Sequence, residues 1–265
     1  MKLGILGLGK MGEALVQGLK TGSLKSSWKI SATTRTPESA LKVSKKFGIS
    51  VHTDNVKCTF DSEVILLGVK PHQAEAVLKE ISPILKKDQI IISLCAGVTT
   101  AQLEEWSGNK SLIIRAMPNT PSLIREGMTV ICGGKTSTPK AMRLAEEVFE
   151  SVGKVAVIEE RLMDGATGLS GCGPAYVYLI IEALSEAGVK VGLPRETSTL
   201  LAAQTLLGAS RMVLERGAHP ASLKDEVTTP AGCTIDGLMA LEEGKLRVTL
   251  IKAVVAATRR SEKLR

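Results

Sequence analysis

Two stretches near opposite ends of the chain hold residue types and spacings that could do chemistry. Gly7-Leu-Gly9-Lys10-Met11-Gly12 follows a short apolar run, Lys2 to Leu6, and leads into a helical pattern with Ala14, Leu15 and Leu19. A strand, a G-x-G-x-x-G turn and a helix in that order make a cradle for a dinucleotide. Gly7 allows the tight turn, Gly9 lets backbone approach a pyrophosphate, and Gly12 lets the helix pack on the strand. The helix start then turns free N–H groups towards the phosphates. The second stretch, Thr228-Thr229-Pro230-Ala231-Gly232-Cys233-Thr234-Ile235-Asp236, sets hydroxyls, proline and glycine just ahead of a helix that runs to Glu243. Its N–H groups and hydroxyls, with no carboxylate before Asp236, suit a small carboxylate ligand. An ordinary N-capped helix would use the same residues.

The strand after the first helix, Lys29 to Thr33, is where the ribose of such a cofactor is read. NAD binding asks for Asp or Glu about 20 residues past the glycines. No acidic residue stands between Glu13 and Glu38, and Thr33, Thr34 and Arg35 occupy the place. Two hydroxyls and a guanidinium are the groups a 2′-phosphate would take. NADP(H) is therefore the preferred cofactor, with NAD(H) as the alternative.

The elements that must position these residues emerge from hydrophobic periodicity. Continuous apolar runs at 49–51, 63–69, 89–94, 111–117, 127–133 and 154–158 alternate with amphipathic patterns at 37–47, 73–85, 99–106 and 139–151. Asp54-Asn55 reads as the opening of a turn. Such strands read as a parallel sheet covered on both faces, with ligands beyond the strands' C-terminal ends. Val69-Lys70-Pro71, Cys95-Ala96-Gly97 and Pro118-Asn119-Thr120-Pro121 all lie at such ends and outline one crevice. His52 and His72 read as turn or surface residues. Beyond Glu159-Glu160-Arg161 the strand pattern stops. Gly165, Gly168, Gly171 and Gly173 then precede a helix with Pro174 just inside its start. The helices expected at 195–215 and 246–257 are apolar over much of their circumference and must be covered on more than one face. That calls for a homo-oligomer built through this half. The expected fold class is α/β: an N-terminal Rossmann-type dinucleotide-binding domain over residues 1–160, followed by an all-α C-terminal dimerisation and substrate domain over residues 161–265.

The composition narrows the partners. No apolar run in the 265 residues approaches the ~20 needed to cross a bilayer. The first residues are interrupted by Gly4, Gly7 and Gly9 and do not read as a signal peptide. The five cysteines (58, 95, 132, 172 and 233) are far apart, with no C-x-x-C pair and no histidine at ligand spacing. Reduced thiols in the cytoplasm and no metal site are expected. The net charge of +7 could suggest nucleic acid, but three Phe, two Tyr and two Trp leave little to stack on bases. No nucleic-acid or membrane partner is expected, and a basic surface also suits small anionic ligands.

Val227-Thr-Thr-Pro-Ala-Gly-Cys-Thr-Ile-Asp-Gly-Leu238 resembles the signature of the Δ1-pyrroline-5-carboxylate reductases. So do Val69-Lys-Pro71, Arg115-Ala-Met-Pro-Asn-Thr-Pro121, Gly171-Cys-Gly-Pro-Ala-Tyr176 and Gly192-Leu-Pro194, and the resemblance runs from Gly7 to Gly237. It implies reduction of pyrroline-5-carboxylate to L-proline with NAD(P)H. It also implies a homodimer through the helical domain, in some members assembled into a decamer. It places Gly7, Gly9, Lys10, Met11, Thr34, Asn55, Val69, Lys70 and Ala96 around the dinucleotide; with the turn and loop residues above, Gly12, Thr33, Arg35, Pro71 and Asn119 join them. Cys233 and Thr234 are placed at the substrate with Thr229 and Gly232 beside them, and Thr234 against the imine nitrogen becomes the candidate catalytic residue. Thr229, Ala231 and Cys172 depart from the Ser, Gly and Ser common in the family; Ala231 is uncomfortable if its position requires positive φ.

Two rival readings remain open on these residues. The Gly7–Gly12 turn suits a β-hydroxyacid dehydrogenase equally well, but those enzymes use a lysine on the long interdomain helix, and here none precedes Lys190. A non-catalytic NADP sensor would retain the glycine turn and have no use for the Val227–Leu238 loop.

Overall fold

The structure, a computed structural model, describes residues 1–21 and 28–264. Strand β1 (Lys2–Leu6) runs through the glycine turn into α1 (Lys10–Thr21); β2 (Lys29–Thr33), α2 (Pro37–Phe47) and β3 (Ser50–His52) come next. Helix α2 is bounded as its sequence dictates. The Thr36 side chain accepts a hydrogen bond from Ser39 N, Pro37 opens the helix, and Gly48 closes it at φ 60°. Asp54 does not merely open a turn. Its carboxylate accepts from Lys57 N at 3.0 Å and caps a short helix, α3 (Asn55–Phe60). Then come β4 (Val64–Leu67), α4 (Ala74–Ile81), β5 (Ile90–Ser93) and α5 (Thr100–Trp106). Pro83 stops α4 at Ile81 by removing a donor, so the helix expected to reach Leu85 ends in a 3₁₀ turn. Strands β6 (Leu112–Met117) and β7 (Gly127–Gly133), helix α6 (Pro139–Glu150) and strand β8 (Gly153–Val157) complete the sheet.

The eight strands lie in the order β3-β2-β1-β4-β5-β6-β7-β8. The first six are parallel, but β7 runs antiparallel to β6, and β8 parallel to β7. The expectation of a parallel sheet throughout is thus corrected at this edge. A parallel crossover needs a dozen or more residues, usually a helix. Only Pro118 to Glu126 joins β6 to β7, so the chain must double back. Within the strands, alternate residues face opposite layers. Leu66, Ile92 and Ile114 pack with Leu15, Val16, Val148 and Phe149 from α1 and α6. Ile65, Leu67, Ile91 and Ile113 pack with Leu78, Ile81 and Leu103 from α4 and α5. All of these are fully buried.

After β8 the chain is helical. Helix α7 (Met163–Ala166), a π-helical turn over Thr167–Gly171 and α8 (Gly173–Lys190) succeed one another, then α9 (Arg195–Arg216), α10 (Pro220–Glu226), α11 (Cys233–Glu243) and α12 (Leu246–Glu262). The helix expected to begin at Pro174 is therefore preceded by helix from Met163. Two compact units result: residues 1–172 with 256–265, and residues 173–255. In the second, α8 and α9 approach closely through small residues. A Cβ on Gly188 would come 2.6 Å from Ser198 Oγ, and the Ser185 and Thr199 hydroxyls are bonded at 2.8 Å. Larger apolar side chains of this unit lie outside: Leu200 is 67% and Ile251 58% exposed.

One polar cluster ties the end of the sheet to the 3₁₀ turn over Glu160–Leu162. Arg115, on β6 and only 3% exposed, donates to Glu160 Oε1 at 2.8 Å. The same oxygen accepts Thr100 N at 2.7 Å, and Oε2 accepts the Thr100 hydroxyl, so Glu160 also neutralises the start of α5. Burial works against ionisation of Glu160, but the hydrogen bonds from Thr100 and Arg115 outweigh it and hold the carboxyl below its ordinary range. A lowered folded-state pKa contributes stability above the unfolded value, about 4.3 for Glu, and that stability is lost as pH falls through the folded value. Glu160→Gln should accordingly melt below the parent at neutral pH, and the gap should close as pH is lowered from about 5 to about 3. A gap that does not depend on pH in thermal melts would show that charge is not what this contact supplies.

Candidate functional site

A crevice of roughly 1240 Å³ opens at the C-terminal ends of β1, β2, β4 and β5. The turn after β1 builds its floor. Gly7 has φ +79°, accessible to glycine at little cost, and its N–H donates to Thr33 Oγ1 at 3.0 Å. A Cβ on Gly12 would meet Leu8 at 2.8 Å and Ile5 at 3.3 Å, so this glycine lets α1 lie against β1. At Gly9 an added Cβ would meet nothing within 4 Å. Bare backbone facing open space beside a helix start is what a pyrophosphate needs, and the residues present fit a dinucleotide on that observation.

The structure brings Gly7, Gly9, Lys10, Met11, Gly12, Thr33, Thr34, Arg35, Asn55, Val69, Lys70, Pro71 and Ala96 onto the walls of this crevice. They do different things there. Thr33 is buried, and its hydroxyl is spent inside the protein, accepting from Gly7 N and donating to Asn55 Oδ1 at 2.9 Å. Asn55 in turn donates from Nδ2 to Glu80 at 3.0 Å. Arg35 is exposed and takes part in no ion pair among the described residues. Ser39, Lys42 and Lys46 of α2 line the same end of the crevice, and the sequence reading missed them. Their signal was the spacing of Lys42 and Lys46, one helical turn apart on the helix after Arg35. Lys46 is bonded to Glu13 at 2.6 Å, which offsets a carboxylate in the first turn of α1.

Asn119 is not on the crevice wall. Its side chain accepts from Met128 N at 2.8 Å and donates to the Ser170 carbonyl at 3.3 Å. Pro174 has no N–H to offer that carbonyl, four residues behind it, so Asn119 supplies a donor that the helix cannot. His72 lies in the 3₁₀ turn at the crevice mouth, exposed. The thiols of Cys58 and Cys95 are pushed up by burial, and that of Cys132 to about 11, which removes them as nucleophiles near neutral pH. Among the described residues no group of His, Cys, Asp and Glu could hold a metal ion.

Thr229, Gly232, Cys233 and Thr234 gather at the start of α11, in the second compact unit. Thr229 to Gly232 form a tight turn closed by Gly232 N donating to Thr229 O at 3.0 Å. Pro230 fixes its own φ by its ring, and Ala231 comes after it at φ 57°. A turn of this kind wants glycine at that position. Gly232 then stands as N-cap, and no side chain caps the helix. The first turn of α11 thus presents its N–H groups beside Thr234, which is half-buried.

A family model for pyrroline-5-carboxylate reductase dimerisation matches residues 160–264, and one for NADP oxidoreductase, coenzyme F420-dependent, matches residues 2–97. The chain is 42% identical to pyrroline-5-carboxylate reductase of Glycine max, covering 99% of this chain and 95% of that one. It is 37% identical to the Escherichia coli enzyme of the same name, over 99% and 98%. Among solved structures it resembles a pyrroline-5-carboxylate reductase from Coxiella burnetii, with TM-score 0.93, 39% identity and coverage of 99% and 97%. A Plasmodium falciparum pyrroline carboxylate reductase with NADP bound gives TM-score 0.87 at 36% identity, over 100% and 98%.

The backbone at Ala231 generates a test of its own. An L-residue in the left-handed region costs about 1–2 kcal/mol, while glycine loses about 0.4–1 kcal/mol more on folding. Ala231→Gly should therefore stabilise the protein by roughly 0.5–1 kcal/mol, read as a rise in melting temperature. A lower melting temperature would mean that the methyl group makes contacts worth more than the strain.

Proposed function

The chain belongs to the pyrroline-5-carboxylate reductase family, and on that premise we propose how its two clusters divide the work. It is an NAD(P)H-dependent oxidoreductase that reduces Δ1-pyrroline-5-carboxylate to L-proline, the last step of proline biosynthesis, with NADPH preferred. Bound NADPH supplies the hydride that the C=N carbon of the cyclic imine receives. In our reading Gly7, Gly9, Lys10, Met11 and Gly12 seat the pyrophosphate, and Thr34 and Arg35 meet the 2′-phosphate. Asn55, Val69, Lys70, Pro71 and Ala96 shape the rest of the crevice, and Thr33 holds the glycine turn. The observation that carries this assignment is the bare backbone at Gly9 beside the start of α1.

The uncapped first turn of α11 is the seat for the substrate carboxylate, helped by Thr229, Gly232 and Cys233. Thr234 stands against the imine nitrogen. Its hydroxyl is too weak an acid to protonate that nitrogen outright at neutral pH, but it can orient an already protonated iminium or pass on a proton from water. Positioning and neutralising the carboxylate do most of the work. The dehydrogenase alternative loses support because α8 has no lysine before its last residue, Lys190. The exposed leucines of the helical unit support a homodimer joined there, with a decamer as its further assembly. We place the protein in the cytoplasm, free of nucleic acid and membrane. Five unpaired cysteines support that reading, and among the described residues no helix is long and apolar enough to cross a membrane.

Loss of NADPH absorbance in the presence of pyrroline-5-carboxylate tests the activity. In that assay Thr234→Ala should lower kcat by roughly 10²-fold with NADPH affinity nearly unchanged, while Thr234→Ser keeps most of the activity. An alanine variant with near-parental kcat would reduce Thr234 to a helix-start residue. Arg35→Ala should weaken NADPH by about 1.5–3 kcal/mol and NADH much less. Equal losses for the two cofactors would remove Arg35 from the 2′-phosphate site.

A further inference from the structure

We propose that the last turn of α12 is a positioning element for the cofactor, acting through the loop after β5. That loop carries Ala96 on the crevice wall. On its inner side it is tied down by Cys95. The Cys95 N–H donates to Ser93 Oγ at 3.2 Å, and the thiol donates to the Val69 carbonyl at 3.5 Å, on the neighbouring loop that also lines the crevice. On its outer side the loop offers only backbone. Gly97 has φ +77°, and a Cβ built there would lie 2.7 Å from the carbonyl oxygen of Leu264 and 2.9 Å from its Cβ. The chain just past α12 is thus seated directly on the loop's main chain, with no flexible side chain between them to absorb a displacement.

That seat is itself anchored. Ser261 and Asp164 are 4% and 3% exposed, and the Ser261 hydroxyl donates to Asp164 Oδ1 at 2.8 Å. Arg259 and Arg260 fall in the last turn, where positive charge suits the negative end of the helix dipole. Asp164 belongs to α7, so the anchor is fixed to the segment that leaves the sheet. The contacts run from Asp164 to Ser261, from Leu264 to Gly97, and from Cys95 to Val69. Loss of the outer contact frees the Cys95–Gly97 backbone to move away from the crevice, and the cofactor then meets a wall that must be ordered on binding. The inference rests on the reading that this crevice binds NADPH, and a fluorescence titration of the parent with NADPH tests that reading by itself.

Two variants test the inference: a chain ending at Glu262, and Ser261→Ala with Ser261→Thr as its conservative control. For each, the NADPH dissociation constant, both KM values, kcat, and the mass by light scattering are measured. The shortened chain should raise the dissociation constant and KM for NADPH by about threefold or more, with kcat and the KM for pyrroline-5-carboxylate within about twofold of the parent and the mass unchanged. Ser261→Ala should move in the same direction and Ser261→Thr should restore the parental value. A shortened chain at parental mass that binds NADPH as the parent does overturns the proposal. Should that chain fail to fold, equal NADPH affinity in Ser261→Ala and the parent overturns it. A parent that does not bind NADPH at all would instead sink the cofactor reading on which the inference rests.

Discussion

Where β1 and β4 end, nothing larger than backbone fits between them. A Cβ on Gly68 would come 2.8 Å from the Gly7 carbonyl oxygen, and one on Gly7 would come 2.7 Å from Val69 Cγ1. The rest of the first unit is arranged around that near-contact. It forces the chain to turn at Gly7 and aims α1 back across the sheet. It also puts the loop after β4 beside the loop after β1, so that both face one crevice. A chain of hydrogen bonds then extends the constraint outward, from Gly7 through Thr33 and Asn55 to Glu80. Residues from β2, α3 and α4 hold the floor in place, Thr33 and Asn55 doing so from the crevice wall itself.

Much of this was legible in the sequence, because the signals are local. The glycine turn, the capped helix from Pro37 to Phe47 and the buried strands each depend on residues a few positions apart. The antiparallel return of β7 was missed because apolar runs carry no direction; only the length of the Pro118–Glu126 connection does. The role of Thr33 was half legible. Its position at the crevice could be read, but not that its hydroxyl would be consumed by Gly7 and Asn55. Lys42 and Lys46 were overlooked because charged residues at helical spacing look the same on a solvated face as beside a ligand. Asn119 reads as a ligand contact from its place at a strand end; that its amide also donates to the Ser170 carbonyl and accepts from Met128 N is not announced by any local pattern.

The helical unit works under a different constraint. Ser185, Ser198 and Ala202 are the buried residues of α8 and α9, and they are all small. They allow the two helices to approach closely but bury little apolar area, so they offset only a small part of the entropy lost on ordering them. Leu200, Leu201, Leu207, Val248 and Ile251 remain outside. The apolar circumference read from the sequence at 195–215 and 246–257 is present here as exposed surface, and exposed apolar surface of this extent is characteristic of interaction sites.

The π-helical turn before α8 has a consequence for phase. In an α-helix each residue advances the side-chain direction by roughly 100°. A turn closed by an i to i−5 bond, here Cys172 N to Thr167 O, inserts one extra residue into that count. Across Met163 to Cys172 the side-chain directions are therefore offset by about 100° from those of an uninterrupted α-helix. An offset of one residue is all-or-none: a backbone N–H bonds either four or five residues back, with no intermediate setting.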